Sequence, residues 1–486
     1  MMPPARIPRY FYPVTAGYAT LLAISFYFEF PWLALAPFVV GIAWLAFHRL
    51  DALMLLIVAC VPLSLSLEEL DIGGIGVYLP TEPLLAGVLV LFVTKATYGW
   101  PVGQEILKHP LSRWVQCSLI WMGLAAIVSS HPLVSFKFLT ARLWFVVGFF
   151  WVLSEMFRVQ KAQRHQFIFA YAFPLCIVII YTMVRHAGFG FEKDAGHWVM
   201  KPFYKDHTSY GAVLAMVIPP MVALLTWKRF SAFVKAVVGL GLTVLCIGLV
   251  FSYTRAAWVS LAAVTILWGL MKVGVQLKTL LFVGIASLAF LWFAQDALLI
   301  QLERNRQDSS DNLAEHVESI SNVSSDASNL ERLNRWNAAL EMFKERPFVG
   351  WGPGSYQFEY APFQRSGDQT IISTNNADGG NAHSEYLGPL AEQGLPGLIF
   401  VIGLLSFCLH LGFKLHRRLK DPEQARLAMG VFLGLMTYFV HGVLNNYLDT
   451  DKASALFWGF FALLLVWDLT LDTSKEEATS LTATSD

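Results

Sequence analysis

The sequence predicts an all-α polytopic membrane protein. Of its 486 residues, 56% are apolar and 14% charged, a balance that soluble domains rarely show. The mean hydropathy is positive. Apolar runs of about 17–25 residues, each long enough to cross a bilayer, recur from end to end. The net charge of zero says little, because the charge of each loop matters more here than the total.

The apolar runs divide the chain into about fourteen spans, at 13–30, 32–48, 50–67, 81–97, 112–128, 136–157, 165–185, 207–227, 231–251, 255–271, 277–296, 386–412, 424–446 and 453–470. The plan is eleven spans over 1–296, a long polar loop over 297–385, three spans over 386–470 and a tail at 471–486. The first run is followed at once by another, so it reads as a spanning helix and not as a cleaved signal peptide.

Basic residues set the direction. With the N-terminus in the cytoplasm, the inward loops hold Arg49, then Lys95, Lys108 and Arg113, then Arg158, Lys161 and Arg164, and so on to Arg417 and Arg418. The outward turns hold Glu68, Glu69, Asp71, Asp449 and Asp451. The alternation puts both termini in the cytoplasm and the loop 297–385 outside. No pair of broken helices recurs in two halves, which weighs against a secondary transporter. The five cysteines are scattered through apolar runs. They form neither a disulfide framework nor a zinc spacing and read as small packing residues.

The outward loop has two parts. Residues 303–330 are rich in Ser, Asn and Asp and predict disorder. Residues 331–346 predict a helix, capped by Ser328 or Asn329 and ended by Pro347, with Leu333, Trp336, Leu340 and Phe343 on one face. That face is expected to lie on the membrane or pack on the bundle. Gly350-Trp-Gly-Pro-Gly354 follows, a tight connection or an anion nest; with no P-loop lysine after it, it makes no case for a nucleotide site.

The loop closes with His383-Ser-Glu-Tyr-Leu387 and Ala391-Glu-Gln-Gly-Leu-Pro-Gly397. Together with Arg335-Trp336, Pro347-Phe-Val-Gly-Trp-Gly-Pro-Gly354 and Ser252-Tyr-Thr-Arg255, these motifs give a chain that resembles the O-antigen ligase and polymerase family of bacterial inner membranes. The likeness is fullest over 200–450. Ser384 stands where the family usually has Asn, Asp206-His207 where many relatives have Asn, and the span count exceeds the usual twelve or so. The resemblance implies a GT-C-like layout and a donor glycan carried on undecaprenyl diphosphate. It further implies transfer to an acceptor hydroxyl at the periplasmic face, with the bilayer as a partner and no nucleic acid and no cofactor.

Such a transfer needs cations to hold the leaving diphosphate and a base to take the acceptor proton. Arginine suits the first task and histidine the second. His383 is the candidate base. Arg142, about one turn inside a span, and Arg255, at the start of another, are candidate diphosphate contacts, against a structural ion pair and head-group snorkelling. Lys205, just before the helix start at 207, is a third. Arg335 is a candidate acceptor contact. Glu385 and Tyr386 are acceptor or supporting candidates; on a helix Glu385 would not face His383. Asp449-Thr-Asp451 has the form of a metal-binding pair but reads first as a cap, so no metal is expected. One base and no covalent intermediate predict inversion. Lipid A core, another lipid-linked repeat unit or a protein hydroxyl all remain open as acceptor. A lipid-linked oligosaccharide flippase would need charges deep in several helices, and a purely structural protein would leave the outer Arg/His set without a role.

Overall fold

A computed structural model of the chain describes residues 11–67, 76–99, 102–287, 327–365, 373 and 380–483. Of the disorder expected over 303–330, residues 303–326 lie outside the described residues and 327–330 are helical; residues 288–296 of the expected span 277–296 also lie outside. The chain divides into two units, Met1–Ile57 and Val58–Asp486. The first carries α1 (Phe11–Tyr27) and α2 (Ala36–His48), with Tyr18 edge-on to Phe38 at 6.3 Å. α3 (Leu50–Cys60) runs across the division.

The second unit is a helical bundle. Its helices are α4 (Thr81–Ala96), α6 (Pro110–Ile127, after the short α5, Gln104–Lys108), α7 (Pro132–Val159, with a π-helical stretch at Val146–Val152), α8 (Gln163–Ala187), α9 (His207–Leu225), α10 (Ala232–Val250), α11 (Arg255–Lys272) and α12 (Leu277–Ser287). After α13 (Ala327–Glu345) and α14 (Tyr356–Glu359) come α15 (Leu387–Arg418), α16 (Pro422–His441) and α17 (Asp451–Ala483). Among the described residues, six helices are long and apolar enough to cross a membrane. α17 is apolar on every side from Ala455 to Trp467 and is accordingly enclosed. Gly430 and Gly434 of α16 let that helix lie directly on the backbone of Met216 and Pro219 in α9.

The two ends of the bundle differ. At one end His109 and Lys414 share buried Asp468, at 3.3 and 2.5 Å, and the Lys228 N–H donates to Glu423 at 2.9 Å. The other end carries the loops that precede α4, α7, α9, α11, α15 and α17, with Lys205 and His383 among their residues. A two-residue antiparallel pair, Leu65–Ser66 with Tyr78–Leu79, stiffens one of these loops.

α13 runs 327–345 and starts before the expected 331, so Ser328 and Asn329, expected as its cap, are helical residues of its first turn. Its packed face differs from the expectation. Leu333 and Leu340 are exposed, while Glu331, Asn334, Arg335, Ala338, Ala339 and Met342 are buried. The small alanines let α13 seat closely on Trp351, Tyr356 and Tyr360, and the bonds from Arg335 and Asn334 to Glu331 offset part of the cost of burying these polar residues.

The strip Gly350–Gly354 is a docking element. Trp351 N–H donates to Ala391 O at 3.1 Å, Gly352 N–H to Glu392 O at 2.8 Å, and Leu395 N–H to Pro347 O at 2.8 Å. α15 opens to receive it: Gly394 has φ 69°, outside the helical range. A side chain at Gly352 would run into Ser129, and one at Gly350 into the backbone of Glu392.

Candidate functional site

A cavity of about 570 Å³ opens at the His383 end of the bundle. Its wall includes Lys205, Asp206, Arg335, His383, Tyr447 and Asp449, with Asn381, Asn446 and Lys452 beside them. These residues come from four places in the chain: the loop before α9, helix α13, the segment before α15, and the α16–α17 turn.

His383 has φ 47°, a left-handed conformation that costs a side-chain-bearing residue about 1–3 kcal/mol. Its surroundings hold it there. The His383 N–H donates to Asn381 Oδ1 at 3.0 Å, and its carbonyl accepts from Trp336 Nε1 at 3.4 Å. Ser384 Oγ then accepts from the N–H groups of Tyr386 and Leu387, both at 3.3 Å, so serine serves as a cap at the entry to α15. Burial, helped by the charges of Arg332 and Arg335, holds the His383 imidazole down to about 4, against weaker upward pulls from Glu331 and Asp206. At neutral pH this histidine is an uncharged base.

Glu385 and Tyr386 face α16, away from the cavity. Glu385 Oε1 accepts from Tyr438 Oη at 2.5 Å and from the N–H groups of Tyr447 and Leu448 at 2.8 and 3.0 Å. Tyr386 Oη donates to Phe439 O at 3.0 Å. Glu385 therefore holds the turn that carries Asn446, Tyr447 and Asp449, and Tyr386 ties the same segment to α16. Asp449 is exposed on the cavity wall, with protein packed around it on the remaining sides. This confinement, and next the charge of Glu385, push its carboxyl up to about 6, while Arg142 and Lys205 pull it down.

Asp451 is engaged elsewhere. Its Oδ2 accepts from Ser64 Oγ at 2.6 Å and Thr81 Oγ1 at 2.5 Å, and Lys452 Nζ lies 3.5 Å from Oδ1. Asp449 and Asp451 thus do not converge on one point. Among the described residues, no three of His, Cys, Asp and Glu are grouped to hold a metal ion.

The basic candidates divide. Lys205 and Arg335 are on the cavity wall; Arg142 and Arg255 are not among the residues that form it. Arg142 lies deeper than the expected single turn, because α7 starts at Pro132, where Ser135 Oγ bonds Ser129 Oγ at 2.7 Å and Pro353 O at 2.8 Å. It stacks on Phe138 at 5.4 Å and acts electrostatically on Glu392 and Asp449. Arg255 opens α11 directly after Tyr253, which has φ 50°, and Thr254, whose Oγ1 donates to His207 O at 2.7 Å. Lys452, Asn381 and Tyr447 had no assigned role in the sequence reading. The polar run Asn445–Lys452 between two apolar spans was the visible signal for Tyr447 and Lys452.

Residues 240–402, which contain Arg255, the Gly-rich strip and His383, match the family model described as O-antigen ligase. Over this stretch the chain is similar to the O-antigen ligase family. No curated protein matches the chain. Together with the six long apolar helices among the described residues, the match supports a multi-pass membrane protein of the O-antigen ligase and polymerase type, a class of membrane glycosyltransferases. The boundary at 402 falls within α15, so the matched region ends after the kink that receives the strip.

Proposed function

We propose that this protein is a bacterial inner-membrane glycosyltransferase with both termini in the cytoplasm. It moves a glycan from undecaprenyl diphosphate to an acceptor hydroxyl on the periplasmic side, with inversion and without a metal. The observation that carries this reading is the cavity that gathers His383, Lys205, Arg335 and Asp449 at one end of the bundle.

In the reaction, the acceptor oxygen attacks the anomeric carbon as its bond to the diphosphate oxygen breaks. The uncharged His383 takes the acceptor proton. Lys205 meets the departing diphosphate from the cavity wall, and Arg142 and Arg255 meet it on its approach from the bilayer. The α13 wall, with Arg335, faces the acceptor. Lipid A core is the acceptor we favour, on the family description; a second lipid-linked repeat unit or a protein hydroxyl would give a polymerase or an O-oligosaccharyltransferase.

The test is transfer by purified protein in nanodiscs, given an undecaprenyl-diphosphate glycan and each acceptor in turn, with EDTA present. Transfer that survives EDTA and is lost in His383→Ala supports the reading. Movement of the lipid-linked glycan across the bilayer without transfer would replace it with a flippase.

A further inference from the structure

Arg335 is about 95% buried, yet one of its donors is unused among the described residues. Its Nε donates to Glu331 at 2.6 Å, and its guanidinium lies over the Tyr360 ring at 4.0 Å. Nη1 has no hydrogen-bond partner among the described residues. A buried donor left in this state costs about 1–3 kcal/mol unless something meets it.

What lies in front of Nη1 is the cavity. Gly380 and Arg335 both form its wall, and a side chain at Gly380 would run directly into Nη1. The missing side chain at 380 is what leaves the donor open. Asn381 follows Gly380 on the same wall, and Trp336, the residue after Arg335, holds the His383 carbonyl.

Glu331 fixes the chemistry that this donor can meet. It contacts Arg335 directly and is also held by Ser373 and Asn334. Burial works to raise the Glu331 carboxyl, but the bonds from Ser373 and Arg335 outweigh it and hold it below the ordinary range. The charge of Arg335 is therefore already compensated. A second carboxylate would set two anions against one guanidinium, whereas an uncharged oxygen would complete the bonding without that repulsion.

We propose that Arg335 Nη1, uncovered by Gly380, is a specificity contact for an uncharged oxygen, a hydroxyl or an acetamido carbonyl, of the sugar held against His383. This deepens the proposed function and rests on it for the statement that this sugar is the acceptor.

The experiment follows transfer rate against acceptor concentration at saturating donor, for wild type, Arg335→Lys, Arg335→Gln and Gly380→Ala. Binding of the acceptor oligosaccharide and of the lipid-linked donor is measured separately on each variant. Gly380→Ala keeps the charge and the Glu331 contact, so it tests the open donor even if the Arg335 variants fold poorly. The acceptor KM is expected to rise about 10- to 100-fold in Arg335→Gln and Gly380→Ala, with donor affinity unchanged. An unchanged acceptor KM, an equal loss of donor affinity, or a wild-type preference for a carboxylate-bearing sugar overturns the inference while leaving the transferase reading intact. Sugar binding that depends on Arg335 and Gly380 without any transfer would do the reverse.

Discussion

Glu385 accepts the backbone N–H of Tyr447 at 2.8 Å, and so ties the segment after His383 to the α16–α17 turn. Two residues away, His383 is held to α13 through Trp336. One short segment thus locks together three of the elements that wall the cavity.

Loss of this clamp should loosen the site. Glu385→Ala removes the acceptor for three donors, two of them backbone groups, and should lower stability by about 2–4 kcal/mol. Glu385→Gln keeps an acceptor oxygen and should cost less than half of that. Thermal unfolding in detergent compares the two, and equal losses would mean that the carboxylate charge matters more than the bonding.

The pH response of transfer should report His383. Its folded pKa, about 4, lies below the ordinary 6.5. The native state therefore binds fewer protons than the unfolded chain in this window, and this residue's contribution to stability falls as pH falls from 6.5 to 4. The acidic limb of the rate should lie near 4, with a flat profile from about 5 to 8. Arg332→Gln removes a charge that holds the value down and should move the limb upward. His383→Ala should slow transfer by about 10²–10⁴-fold.

Asp449 has the opposite sign. Its folded pKa of about 6 exceeds the ordinary 3.8, so its contribution favours the native state below pH 4 and is lost as pH rises through 6. Asp449→Asn should raise the melting temperature slightly at pH 7.5 and leave it unchanged at pH 4. The gain should stay under about 1 kcal/mol, because cavity water screens the accessible side chain. A melting temperature that falls at both pH values would show that the carboxylate is a structural acceptor.

Asp451 should behave as an anchor. Asp451→Asn leaves Lys452, itself 97% buried, without its counter-charge, and should destabilise by about 3–5 kcal/mol. EDTA should leave both the stability and the transfer rate of the wild type unaltered. A metal-dependent melting temperature would contradict this.

Gly352→Ala should undock the Gly-rich strip. The added carbon meets Ser129, and the backbone there has φ 113°, which side chains rarely adopt. A loss of at least about 2 kcal/mol is expected, with faster protease cleavage near 350. Unchanged cleavage would mean that the Ser129–Ser135 corner yields easily.

The sequence by itself determined the all-α membrane class, the resemblance to the O-antigen ligase family and the choice of His383 as a candidate base. Each of these is written in local order: apolar run length, basic residues at span ends, and a motif of neighbouring residues. It did not determine that Glu385 turns its back on His383, that Leu333 and Leu340 face outward while Glu331 and Arg335 are buried, or that Asp449 and Asp451 part company. Those outcomes depend on residues such as Tyr447 and Ser64, which are 62 and 387 positions away from the carboxylates they bond. The left-handed turn at His383 has the same origin. No local preference of histidine selects it; Asn381, Trp336 and the docked α16–α17 turn impose it together. Spacing along a chain fixes which groups share a helix face, but only packing between distant segments fixes which of them meet across a cavity.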